Sequence, residues 1–209
     1  MHTQIMTARI RLALLALAVA VVALLGASGK AWAAPSPTSE VEALRVSNIS
    51  DSSVTISWTT SSATTGHIVY GTATPDQTAT DVRGADVALT THFVVISGLT
   101  PSTSYVFDVV SAGLPDTNGG AHYQFATGPS LMPAMPDTAY GRVVLSDGTT
   151  PVEGTLVYLN VQDADGSGSG GTSTSLAALT NAQGEWVADL GSTRVNDASA
   201  AFIPMCIMA

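Results

Sequence analysis

From Val41 to Thr127, short apolar runs alternate with clusters of Ser, Thr, Gly and Pro. The runs fall at 43–49, 53–59, 66–70, 91–97, 105–110 and 121–125. In the second run Val54, Ile56 and Trp58 alternate with Thr55, Ser57 and Thr59. That period of two predicts a strand with one buried face and one wet face. No stretch here sustains a helical period. About seven short strands separated by turn residues, in roughly 90 residues, predict an antiparallel β-sandwich.

A Pro-rich linker at 129–138 follows Gly128, opening on Pro129 and containing Met132-Pro133-Ala134-Met135-Pro136. Proline removes a backbone donor and fixes φ, so this segment cannot join a sheet interior. A second β region is predicted over 139–200, with strands at 140–145, 155–161, 175–180 and 185–190. The first two are joined across 146–151, and 163–171 reads as a Gly/Ser loop. Asn181-Ala-Gln-Gly184 has the character of a hairpin turn that sets 175–180 against 185–190. No internal repeat is visible. The expected fold class is all-β, with two antiparallel β-sandwich domains.

The first 33 residues have a different grammar. Arg9 and Arg11 precede an apolar run at 12–25, then come Gly26-Ala-Ser-Gly and Ala31-Trp32-Ala33. This is the order of a secretory signal peptide, with cleavage expected after Ala33 and a flexible leader at 34–40. The rival reading is an uncleaved anchor, but the run is short for a bilayer that needs roughly 20 apolar residues. No later segment could span a membrane as an apolar helix, so no membrane insertion is expected after cleavage. The expected location is secreted or cell-surface.

Cleavage also changes the charge. All sixteen acids lie beyond residue 33, against Arg45, Arg83, Arg142 and Arg194, which leaves a formal charge of −12 and no lysine. Nucleic-acid binding by phosphate neutralisation is not expected of such a chain. The lone cysteine, Cys206, excludes a disulfide within one chain. The final Cys206-Ile-Met-Ala matches a prenylation box, which a cytosolic enzyme would read and an exported chain would not meet.

Trp58, followed by Leu99, Pro101, Thr103 and Tyr105 in "GLTPSTSY", resembles a fibronectin type III domain. The resemblance implies an immunoglobulin-like sandwich over 41–128 with Trp58 between the sheets. It implies a tyrosine corner, in which the Tyr105 hydroxyl meets backbone just upstream. Pro101 would pre-set the turn and Leu99 would close the end of the core. The runs "IVYGT" and "HFVVISGLTPSTSY" are similar to the bacterial form related to the N-terminal domain of purple acid phosphatases. Gly141-Arg-Val143, Gly148, Pro151-Val-Glu-Gly154, Val157-Tyr-Leu159, then Thr180, Gly184 and Trp186, resemble a carboxypeptidase regulatory-like domain. That family is a transthyretin- or prealbumin-like sandwich, and Gly154, Gly184 and Trp186 would hold its turns. Thr155 stands where the family has Ala. Its closing strands are not expected here, because only Asn196-Asp-Ala-Ser-Ala-Ala and an atypical tail at 201–209 follow Val195; this reads as truncation or a frame shift.

Little in the chain points to chemistry. His67, His92 and His122 sit on separate runs without the spacing of a zinc site, and are expected on outer faces or strand ends. No Gly-x-Ser-x-Gly elbow or ordered triad is present. Asp163-Ala-Asp165-Gly-Ser167-Gly168 begins like a calcium loop, but Thr174 stands where the bidentate acid belongs. Arg83-Gly84-Ala85-Asp86 is an integrin tripeptide broken by an inserted Ala. Asn48-Ile49-Ser50 is a formal glycosylation sequon. The expectation is therefore a non-enzymatic exported module with no metal or cofactor, serving as spacer or adhesion unit for an extracellular protein or polysaccharide. The alternative is the N-terminal accessory part of a larger secreted hydrolase. Carbohydrate binding by the outer sheet faces is a third reading, for which exposed aromatics are scarce.

Overall fold

The structure, a computed structural model of the chain, describes residues 41–132, 134–163 and 168–203. The signal peptide, the 34–40 leader, most of the calcium-like loop and Cys206 lie outside the described residues. In the first region eight strands form: β1 (Glu42–Ser47), β2 (Ser53–Thr64), β3 (Gly66–Gly71), β4 (Gln77–Thr80), β5 (Leu89–Ser97), β6 (Ser104–Ser111), β7 (Leu114–Asp116) and β8 (Tyr123–Ala126). The short strands β4 and β7 carry too few apolar residues to show in the pattern. They exist because β3 and β6 offer them an edge.

Two antiparallel sheets result. One has the order β1-β2-β5, the other β4-β3-β6, with β7 and β8 both lying along β6. The alternation of β2 sets the register. Val54, Ile56 and Trp58 stand opposite Ile96, Val94 and His92 of β5 and all point inward. From the facing sheet Ile68, Tyr70, Tyr105, Phe107, Val109 and Phe125 complete the core. Its aromatic rings pack in series: Tyr105 on Phe125 at 5.3 Å, and Phe107 on Tyr123 at 5.4 Å. Such pairs add about 0.5–1.5 kcal/mol beyond their buried area.

The second region contains β9 (Thr138–Arg142), β10 (Leu156–Leu159), β11 (Leu176–Leu179) and β12 (Glu185–Asp189). β9 pairs with β12 and β10 with β11, both antiparallel. This corrects the expected hairpin, since β11 and β12 are not hydrogen-bonded partners. Gly184 N–H donates to Asn181 C=O in a tight turn that carries the chain from one sheet to the other. Among the described residues no strand follows β12, and the 193–202 stretch makes isolated bridges only. Ser173 bridges Val195, Arg194 bridges Ala201, and Phe202 is buried. Backbone bonding by the 193–202 stretch replaces the apolar pattern that it lacks. The buried apolar residues of this region are mostly small: Leu176, Ala177, Ala178, Ala188, Ala198 and Phe202. Ser173, Thr174, Thr180, Thr193 and Arg194 are buried beside them. Such an interior offers little hydrophobic area, and the region leans on its neighbour.

Candidate functional site

The described residues belong to one compact unit, Thr38–Ala209, and the second region packs on part of the outer face of β1-β2-β5, over β2. Thr55 and Ser57, expected in water, are 2% and 0% exposed. The correction has a clear physical origin: both faces of β2 are buried, the inner by the apolar core and the outer by β10 and β11. A buried hydroxyl needs a partner. Ser57 Oγ lies 2.9 Å from the Tyr158 hydroxyl, and Thr55 Oγ1 accepts from Asn48 Nδ2 at 3.0 Å.

Asn48 is the centre of this contact. Its φ of +49° turns the chain out of β1 toward β11. Its side-chain amide then pairs with the Ala177 peptide in both directions: Nδ2 donates to Ala177 C=O, and Ala177 N–H donates to Oδ1, each at 2.9 Å. The Asn48 N–H donates to Ser175 C=O at 2.9 Å. With both Nδ2 hydrogens engaged, the amide of the formal sequon is unavailable for glycan transfer in this state. The Arg45 guanidinium stacks over the Tyr158 ring at 4.6 Å. Farther along, Arg194, 5% exposed, donates to Pro129 C=O at 2.9 Å and Ala198 C=O at 3.1 Å. Burial lowers its pKa, while the nearby Asp51 carboxylate raises it. Ser130 Oγ donates to Asp51 Oδ2 at 2.8 Å, so the first turn of the predicted linker is fastened to both regions.

At the other end of the interface lies a cleft of about 850 Å³, lined by Arg83, Leu89, Thr91, Glu153, Leu156 and Tyr158, among others. Arg83 does not project as an adhesive cation. Its guanidinium meets both oxygens of Asp81 at 2.9 Å and also bonds the Thr91 carbonyl. Asp81 accepts the Phe93 N–H at 2.7 Å as well. Burial raises the Asp81 carboxyl, but these bonds outweigh it and hold the group below the ordinary carboxylate range. The Thr91 hydroxyl donates to Gly154 C=O at 2.8 Å, tying β5 to the second region.

The residues singled out from sequence fall in three places. Trp58 is fully buried and its Nε1 donates to Ser111 Oγ at 3.0 Å. Leu99 and Tyr105 close the core, and the Tyr105 hydroxyl accepts the Thr100 N–H at 2.9 Å. Pro101 is exposed at the tip of that turn. Gly154 (φ +71°) stands at the rim of the cleft, where a Cβ would come within 3.2 Å of Arg83 Nη1. Gly184 (φ +73°) is buried, and a Cβ there would sit 2.3 Å from Val143 C=O. Trp186 lies over Gly141, its partner across β9 and β12, with the indole where a side chain would otherwise stand. These residues are not brought together into one site.

One of the three histidines departs from expectation. His92 is a correction: it is inside the sandwich, 0% exposed, stacked on Trp58 at 4.6 Å and 11°. Neither of its ring nitrogens has a hydrogen-bond partner. Its position opposite Trp58 on an inward face was the only sequence signal available. His122, before β8, lies 2.7 Å from Asp108 Oδ1, and His67 is half-buried on β3. Among the described residues no three His, Cys, Asp or Glu side chains converge as metal ligands. No described helix is long and apolar enough to cross a membrane. The contact roles of Asn48, Tyr158, Arg194 and Thr127 also escaped the sequence reading, since no motif marks a polar residue that will be buried by a distant segment. The Thr127 hydroxyl accepts from Thr103 N–H at 3.0 Å and donates to Thr100 C=O at 2.7 Å, which braces the Tyr105 turn.

The family model of the purple acid phosphatase N-terminal domain matches residues 41–127. No curated protein matches the chain. Solved structures similar to it include the sensor domain of the anti-sigma factor RsgI4 in Pseudobacteroides cellulosolvens. That match has 22% identity and a TM-score of 0.32, over 46% of this chain and 100% of that one. The FN1–FN3 domains of chicken CNTN1 match at 12% identity and 0.32, over 74% and 56%. The central fibronectin-III array of RIM-binding protein matches at 19% and 0.31, over 79% and 60%. The chain thus spans little more than half the length of either array. With its two antiparallel sheets and the family match, the 41–127 region is a fibronectin III-like domain, similar to the N-terminal domain of purple acid phosphatase.

Proposed function

We propose that the chain is a non-catalytic exported module, a short stiff spacer that holds a binding surface for an extracellular protein or polysaccharide. The observation that carries this reading is the polar docking of the second region on β1-β2-β5. Asn48, Ser57 and Thr91 each bond across the junction, and Arg194 bonds the Pro129 carbonyl between the regions. A joint of this kind stiffens a two-part module, whereas independent beads on a linker would rotate freely. The signal-like pattern of the first 33 residues supports export. The turn glycines Gly154 and Gly184 support a carboxypeptidase regulatory-like, prealbumin-type second domain. The test is direct. The chain expressed without residues 1–33 should give one scattering envelope of fixed length and one cooperative unfolding transition, and should not hydrolyse phosphate or ester substrates. Robust turnover, or two independent transitions, overturns the reading.

The family match favours a second reading, in which this module precedes the catalytic domain of a secreted hydrolase. A metallophosphatase domain encoded directly downstream of Ala209, in frame and expressed on the same polypeptide, would establish it.

A further inference from the structure

Beyond residue 33, sulfur is confined to two short stretches, Met132-Pro-Ala-Met135 and Met205-Cys206-Ile-Met208. Both have the spacing Met-x-x-Met, although they stand far apart in the sequence. Packing does not explain the first pair. Methionine ordinarily fills gaps in a core, yet Met132 and Met135 are 91% and 87% exposed. Each precedes a proline, which disfavours helical backbone at the residue before it. In the extended helix that prolines favour, three residues make a turn, so positions 132 and 135 fall along one edge. The backbone beneath them is held. Leu190 N–H donates to Asp137 C=O at 2.6 Å, and the Met135 carbonyl approaches Gly191 so closely that no Cβ fits there.

Both methionines line an open cavity of about 410 Å³, together with Val161, Leu190 and Phe202. Ile203 lines it too and is pinned by Ser169. Ser169 N–H donates to Ile203 C=O at 3.1 Å, and Ile203 N–H donates to Ser169 Oγ at 3.0 Å. The second sulfur stretch begins two positions on, outside the described residues. A backbone advances at most about 3.6 Å per residue, so Met205 has to start within about 7 Å of Ile203. The fold therefore brings the start of the second Met-x-x-Met to the cavity that the first one lines.

We propose that the two stretches together bind a soft monovalent cation, Cu(I). Thioether and thiolate sulfurs are polarisable donors that select Cu(I), whereas Mg²⁺, Ca²⁺ and Mn²⁺ require oxygen ligands. Neutral thioethers suit a single positive charge better than a double one. With one thiol and no imidazole lining the cavity, the donor set is poor for Zn²⁺. Cys206 joins as the thiolate and releases its proton to solvent. Asp137 is the only charged side chain among the described lining residues, so no cationic group there repels the metal. This site goes beyond the spacer reading and does not rest on it, since it uses only the linker and the 203–208 stretch.

The test titrates the full chain with Cu(I) under argon, Cys206 reduced, in competition with the chelator bicinchoninate. Wild type should take up one equivalent. Met132→Leu with Met135→Leu keeps the apolar volume and removes two ligands. Losing an outer-shell partner alone costs metal sites about 10–100-fold, so the double variant should bind Cu(I) at least about 10-fold more weakly. Its urea midpoint should not move, because both side chains are exposed. Alkylation of Cys206, the only thiol, reports convergence of the two stretches. At the same free Cu(I), iodoacetamide should be blocked in wild type and react in the double variant. Equal affinity and equal protection in both proteins would mean that the tail, or Met1 and Met6, binds without the linker, and overturns the proposal. So does absence of Cu(I) binding in wild type, or displacement of Cu(I) by equimolar Zn²⁺.

Discussion

Tyr105 shows how much one polar atom does in this fold. Its ring packs on Phe125 inside the core, and its hydroxyl accepts the Thr100 N–H at the end of the sheet. Removing that oxygen leaves the ring packing intact and strips a backbone donor of its partner. Tyr105→Phe should lower stability by about 0.5–1.5 kcal/mol, read as a shifted urea midpoint at constant slope. A loss of several kcal/mol would mean that the ring itself had moved. The residue was legible in advance because "GLTPSTSY" is a local signature, with turn-forming Pro101 and core-closing Leu99 within a few positions. Its brace was not legible: Thr127 lies 22 residues away from Tyr105 and reaches the same turn only through folding.

At the level of strands, alternation predicted the inner faces correctly and misjudged an outer one. Val54, Ile56 and Trp58 of β2 point inward as the period of two requires. Thr55 and Ser57 look like a solvent face in the sequence, because hydroxyl residues are tolerated both in water and beneath a hydrogen-bonding neighbour. Strand β3 adds a constraint that no alternation shows. It passes so close to the His92 and Trp58 stack that only hydrogen fits at Gly66. Gly66→Ala must displace two buried rings and should cost about 1–3 kcal/mol, measured by thermal unfolding. A neutral outcome would show that β3 can retreat from β5 without loss, which the pairing of β3 with β6 opposes.

Over the whole molecule, the junction between regions governs behaviour. Asn48 replaces a missing stretch of strand by pairing its amide with the Ala177 peptide in both directions. Truncation leaves a buried N–H and C=O without partners. Asn48→Ala should weaken docking by about 1–3 kcal/mol. The expected readout is faster proteolysis at 129–137, with the first region's urea midpoint little changed. Unaltered proteolysis would mean that Arg194 and Tyr158 suffice to hold the joint. The same geometry bears on expression in eukaryotic hosts, because a glycan added to Asn48 before folding would occupy the docking surface.

Local pattern was sufficient for the all-β class, the inward faces of the first region, the tyrosine turn and the absence of a disulfide framework within one chain. Each of these depends on residues close in sequence, or on a residue type being present at all. Tertiary structure alone decided that Thr55 and Ser57 are buried, that Asn48 is a docking residue, that His92 is inside, and that β11 pairs with β10 rather than β12. Those outcomes depend on which surface arrives to cover a strand. Polar residues with short side chains carry no preference that announces it; burial and hydrogen-bond satisfaction are settled only when segments distant in the sequence meet.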